Sequence, residues 1–190
     1  LTKNELERVA HHEAGHAFQN YSSRKQPLLK YLWPTMESAE IHSMSMEFFT
    51  WPWMKGFFKE DTERFKYKHI VGSLSFLPYG ACVDHFQHWV YENPRATPEE
   101  RKDKWSLLES TYLPGRDYDN LEYPKNGGIW QGQLHIYQMP FYYIDYTLAQ
   151  TCAFQFWSKS QTNQDNAWKD YIRLCEAGGS LPFTKLVELA

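Results

Sequence analysis

Apolar residues recur at three- and four-residue intervals along most of this chain, and that period predicts helices. Leu6, Val9, Ala10, Ala14 and Ala17 mark the first helix, over about 4–20, and Thr2-Lys3-Asn4-Glu5 ahead of them has the form of a capping box. A second helix is expected to open with Thr35 as N-cap, run through Glu47 and be interrupted at Pro52. The stretch 62–91 is apolar at helical spacing, with a break expected at Pro78-Tyr79-Gly80. Thr97-Pro98-Glu99-Glu100 is a helix start, with an N-cap, a proline at the first helical position and a glutamate at the third. Further helices are predicted over 141–159 and from 163 or 165 to 176, the latter capped by Gly178-Gly179, with a short one after Ser180.

Between them the pattern changes. Pro114-Gly115, Pro124 and Asn126-Gly127-Gly128 are turn chemistry, so a short loop or strand region is expected near 113–137. The fold class is therefore mainly α. Residues 1–190 read as a single region, with no repeat, low-complexity stretch or internal boundary.

Composition narrows the function. Twenty basic and 23 acidic side chains leave a net charge of −3, and no basic stripe marks a nucleic-acid surface. No apolar run is long enough to span a membrane, since even 149–157 is broken by Gln150 and Gln155. Cys82, Cys152 and Cys175 are widely spaced and form no C-x-x-C pair, which fits a reducing, cytoplasmic setting. Aromatic residues reach 17%, enough for an aromatic core or a groove that binds an organic ligand.

The chemistry starts in the first helix. His12-Glu13-Ala14-Gly15-His16 is an H-E-x-x-H, which puts His12 and His16 one turn apart on one face, able to share a zinc ion. Glu13 lies about 100° round the helix, close enough to take a proton from a water at that ion. His11 points to another face. A third ligand is expected from the second helix, which carries Glu37, Glu40 and Glu47. Glu40, Ser43, Met44 and Glu47 share a face, among so many apolar residues that their carboxylates want a cation. If Glu40 is the ligand, Glu47 is two turns along and can accept the other N–H of a ligand histidine. His42 points about 200° away from Glu40.

These residues carry a resemblance. His12–His16, then Glu40-Ile41-His42-Ser43-Met44-Ser45-Met46-Glu47, resembles the M3 family of zinc metallopeptidases, in its oligoendopeptidase F branch. The blocks 43–53 (SMSMEFFTWPW), 83–94 (VDHFQHWVYENP) and 140–149 (PFYYIDYTLA) are similar to that branch as well. The resemblance implies a zincin-like helical core with Zn²⁺ held by His12, His16 and Glu40, and Glu13 as general base. It also implies that the chain is the C-terminal catalytic portion of a longer protein, whose N-terminal helical part forms the opposite wall of a substrate channel.

The stretch 127–146 is a second candidate site. Gly127-Gly128, Trp130, Gln131, Gln133 and His135 lead into a helix with Tyr142, Tyr143 and Tyr146 at one-turn spacings. A tetrahedral intermediate needs hydrogen-bond donors at its oxyanion, and a histidine and a tyrosine suit that task. By the resemblance, His135 and Tyr146 stabilise the transition state, with Tyr142 and Tyr143 lining the substrate groove. Elsewhere, Asp84 and His88 are expected to form a buried hydrogen bond, Trp51, Trp53, Phe57 and Phe58 to pack in the core, and 55–68 to be a solvated face.

The leading reading is a zinc endopeptidase acting on short, unstructured peptides in the cytoplasm. Two others stand beside it: a metal-binding helical fragment without turnover, and a carboxypeptidase or dipeptidyl carboxypeptidase on the same zinc helix.

Overall fold

The computed structural model describes residues 3–190, with side chains from Arg8 onward, so the Thr2–Glu5 cap lies outside the described residues. The helices are α1 (Lys3–Ser22), α2 (Met36–Phe49), α3 (Lys55–Phe58), α4 (Thr62–Glu92) and α5 (Pro98–Tyr112). They continue with α6 (Glu122–Lys125), α7 (His135–Gln138), α8 (Tyr143–Thr162), α9 (Gln164–Ala177) and α10 (Phe183–Leu189). No described helix is long and apolar enough to cross a membrane.

Local signals account for several boundaries. The α2 backbone stops at Phe49, and Trp51–Trp53 forms a 3₁₀ turn around Pro52. The Thr97 hydroxyl accepts from the Glu100 N–H while the Glu100 carboxylate accepts from the Thr97 N–H, a complete capping box. Gly178 closes α9 with φ +52°.

The mainly α expectation holds, and of the loop or strand offered for 113–137 it is the loop that forms: no strand occurs among the described residues, and the stretch holds turns, α6, a 3₁₀ turn at Ile129–Gly132 and the start of α7. Prolines and glycines there favour local bonds, such as Arg116 N–H to the Leu113 carbonyl and Gly128 N–H to the Tyr123 carbonyl, over a ladder. Pro78 does not break its helix, and α4 runs on through it. A single proline removes one N–H bond, whereas the turns beyond it bury Cys82, Val83 and Phe86 completely. Gly80 belongs to the same packing, because a side chain there would collide with Thr147 on α8. Finally, 55–68 is not simply a solvated face: Phe58 and Phe65 are buried with their rings stacked at 4.1 Å. Trp53 and Phe57, by contrast, are exposed.

The described chain forms two units, one combining the chain up to Val71 with Leu148–Ala190 and the other Gly72–Thr147. In the first, Ile41, Phe49, Phe156, Tyr171, Leu174 and Leu186 centre a core drawn from α2, α8, α9 and α10. Tyr171 is fully buried and its hydroxyl donates to the His42 carbonyl at 2.9 Å, so a polar atom in this core is satisfied. In the second, Cys82, Val83, Phe86, Trp105, Leu108 and Tyr143 pack together.

Candidate metal centre

The first unit brings His12 and His16 of α1 onto Glu40 of α2. One oxygen of Glu40, Oε2, lies 3.2 Å from His12 Nε2 and 3.4 Å from His16 Nε2. The close approach of the two helices depends on Gly15, where an added Cβ would fall 2.6 Å from the Ser43 Cα and 2.7 Å from the His42 carbonyl oxygen. Any larger residue would separate the backbones and carry the histidines away from Glu40.

Glu40 is buried, and Ser43 Oγ donates to its Oε2 at 2.8 Å. Glu47, also buried, sits two turns on, with its Oε1 2.8 Å from His12 Nδ1. The shared face of Glu40, Ser43 and Glu47 expected from their spacing therefore meets α1. Glu37 is exposed. His42 is fully buried with its Nδ1 3.5 Å from Cys175 Sγ, away from the cluster, and His11 sets its ring edge-on against Phe57 at 5.4 Å.

Electrostatics follow from burying two carboxylates beside two imidazoles. Burial opposes charge on His12, but hydrogen bonds to Glu40 and Glu47 prevail and push it up to about 9. Burial would raise Glu40, yet hydrogen bonds from His12, His16 and Ser43 hold it well below the usual carboxylate range. Glu47 is brought down to about 2, since bonds from His12 and His69 outweigh its burial. His42 is held down to about 3 by its burial and the charge of His16.

This donor set fits a divalent cation. Two ligand atoms about 2.1 Å from a tetrahedral centre stand about 3.4 Å apart, close to both Glu40 separations, and two imidazoles with one carboxylate is a donor combination that zinc takes. Glu13, the next residue after His12, is exposed. The geometry thus provides three converging donors and a support for one of them, with the exposed Glu13 next in sequence to His12.

Two participants are not legible in the motif. His69 of α4 places Nε2 2.7 Å from Glu47 Oε2, and the indole N–H of Trp51 donates to His69 Nδ1 at 2.9 Å. A signal for His69 exists in the sequence: the buried stripe of α4 runs Thr62, Phe65, His69, Ser73, so a histidine occupies a position where helical period calls for an apolar residue.

In the second unit, Tyr142, Tyr143 and Tyr146 share a face as their spacing predicts, and the His135 ring lies against two of them. The His135 ring meets Tyr143 at 5.3 Å and Tyr146 at 5.6 Å, both edge-on, and Tyr142 meets Tyr146 at 4.9 Å. Tyr143 is buried, which pushes its hydroxyl above its ordinary value, while Tyr142 and Tyr146 are half-buried. Gln133 connects the group to α4: the Tyr79 hydroxyl donates to its Oε1 at 3.1 Å, and its Nε2 lies 2.9 Å from His135 Nδ1. Asp84 and His88 do not form the buried bond expected of them. They are 3.6 Å apart with the His88 side chain 60% exposed, a contact at the solvated edge of α4.

A family model described as Peptidase family M3 matches residues 1–190. A solved structure described as PZ peptidase A with an inhibitor is 60% identical at a TM-score of 0.93, over 96% of this chain and 32% of that one. A protein designated oligoendopeptidase F is 59% identical at a TM-score of 0.92, over 95% of this chain and 32% of the other. Another so designated, from Bacillus anthracis, is 53% identical at a TM-score of 0.81, over 96% and 29%. The chain thus spans about a third of the length of these solved chains. A search of curated proteins gave no match.

Proposed function

The chain belongs to peptidase family M3, in its oligoendopeptidase F branch, and on that premise we propose that it is the C-terminal catalytic part of a zinc-dependent endopeptidase that hydrolyses short, unstructured peptides. The observation that carries this reading is the convergence of His12, His16 and Glu40, with ligand atoms all within 4.8 Å of one another. Those three side chains hold the metal, and Glu47 holds His12. A bound zinc ion supplies the Lewis acidity that makes water nucleophilic near neutral pH.

Glu13 takes the proton of the attacking water and passes it to the leaving amine. His135 and Tyr146 donate hydrogen bonds to the oxygen of the scissile carbonyl as it becomes negative. Tyr142 lines the peptide groove, and Tyr143 packs behind it. The solved relatives are about three times longer, which supports a further part of the same protein; by the resemblance that part is N-terminal and helical and forms the other wall of a substrate channel. Three buried free thiols accord with a reducing, cytoplasmic setting.

Metal analysis of the full-length protein, paired with an internally quenched peptide blocked at both termini, tests the proposal. One zinc per chain and cleavage of the blocked peptide are expected. A carboxypeptidase or dipeptidyl carboxypeptidase would leave that peptide intact and cut only one with a free C-terminus. The shared third of the relatives' length favours one further reading, a metal-binding helical chain without turnover, which would hold zinc and cleave neither peptide.

A further inference from the structure

Glu47 is a buried carboxylate with a hydrogen bond at each oxygen, His12 Nδ1 at Oε1 and His69 Nε2 at Oε2. The direction of this chain is set at its far end. An indole nitrogen can only donate, so the Trp51 N–H fixes His69 Nδ1 as an acceptor and leaves the His69 proton on Nε2. That proton goes to Glu47 Oε2. The other oxygen of Glu47 then accepts from His12 Nδ1–H, so the nitrogen that His12 can give up to a metal ion is Nε2, the atom that faces Glu40.

Packing holds the His69 ring as firmly as hydrogen bonding does. The ring is stacked on Phe48 at 4.6 Å and Phe65 at 5.9 Å, with the Trp51 ring edge-on at 5.7 Å, and the residue is 8% exposed. Arg8, the other cation near Glu47, is 3.8 Å from Oε1 and half exposed, too distant for a hydrogen bond.

We propose that His69 and Trp51 are positioning residues for the metal centre, acting through Glu47 to hold the His12 ring in the tautomer and orientation that present Nε2 to the ion. This rests on the reading of His12, His16 and Glu40 as a zinc site. Outer-shell partners of this kind alter metal affinity by about 10–100-fold when removed, because the ligand ring must then be oriented at the moment of binding. A histidine that merely fills the core would have no such effect.

The test measures zinc affinity of the full-length protein by competition with a chromogenic chelator, beside His69→Phe, His69→Gln and, as reference, His16→Ala. Phe keeps a flat ring between Phe48 and Phe65 without a donor; Gln brings an amide N–H to roughly the place of Nε2. His69→Phe is expected to bind zinc about 10–100-fold more weakly, and His69→Gln to return close to the parent value. His69→Phe binding as tightly as the parent, or His69→Gln binding as weakly as His69→Phe, overturns the inference. A parent that takes up no zinc, or His16→Ala that retains it, overturns instead the zinc site on which the inference rests. Should His69→Phe fail to fold, ring ¹⁵N spectra of the histidine-labelled parent decide: a neutral His69 protonated on Nε2 supports the role, and any other form of that ring ends it.

Discussion

Gly15 and Ser43 bring two helices backbone to backbone: a methyl group on Gly15 would lie 2.6 Å from the Ser43 Cα. That separation is below any van der Waals contact, and the atom it meets is main chain, which no side-chain rotation can move aside. Gly15→Ala is therefore expected to push α1 from α2 and spread His12 and His16 from Glu40. Overpacking of this kind costs about 1–3 kcal/mol. Thermal unfolding should show that loss, and chelator competition should show weaker zinc binding in the same variant. Unchanged zinc affinity would mean that the helices can separate without opening the site.

Glu40→Gln is expected to weaken zinc binding severely, since an amide lacks the charge that the ion requires. Glu37→Gln, three residues earlier on the exposed side, should leave it nearly unchanged. The reverse ranking in a chelator titration would exclude Glu40 as a ligand.

Glu13→Gln should keep the zinc, because Glu13 is not among the converging donors, and remove nearly all peptide hydrolysis in the full-length protein. Metal content and turnover measured on one preparation separate the two effects. Retained turnover would show that another group activates the water.

The metal-free protein has a pH signature. His12 rises from 6.5 to about 9 in the fold, so its contribution to stability is complete below 6.5 and lost as pH climbs through 9. Glu40 and Glu47 fall below 4.5, Glu47 to about 2, so their contribution is complete above 4.5 and lost on acidification through those lower values. With the metal stripped, these groups favour the fold most between 4.5 and 6.5. Zinc must displace the His12 proton, so its affinity should rise by about tenfold per pH unit between roughly 6 and 8. Unfolding scans with and without chelator, and competition titrations across that range, check both trends; a flat affinity profile would refute the protonated His12.

Tyr146→Phe in the full-length protein is expected to lower kcat by about 10²-fold or more with little change in KM, the scale of losing one oxyanion donor. Phe keeps the contacts of the Tyr146 ring with His135 and Tyr142, so unfolding should barely shift. Unchanged kcat would reduce Tyr146 to a packing residue, and Tyr142 would be the next hydroxyl to test.

What the sequence by itself determined lies within one or two helical turns. The His12/His16 pair, the Glu40–Ser43–Glu47 face, the capping box at Thr97 and the end of α2 before Pro52 were all legible, because each depends on spacing along one helix or on the backbone preference of one residue. The expectation of a break at Pro78 failed where a local rule met a tertiary one: the burial of Cys82, Val83 and Phe86 outweighs one missing hydrogen bond. Only the tertiary structure decided which partners meet across helices. Trp51, His69, Glu47 and His12 come from different elements, and His12 and Glu47 are 35 residues apart. Gly15 looks like a filler within H-E-x-x-H until α2 is seen against it. Such contacts are set by how helices pack rather than by any period within them, and a period is what a single sequence displays.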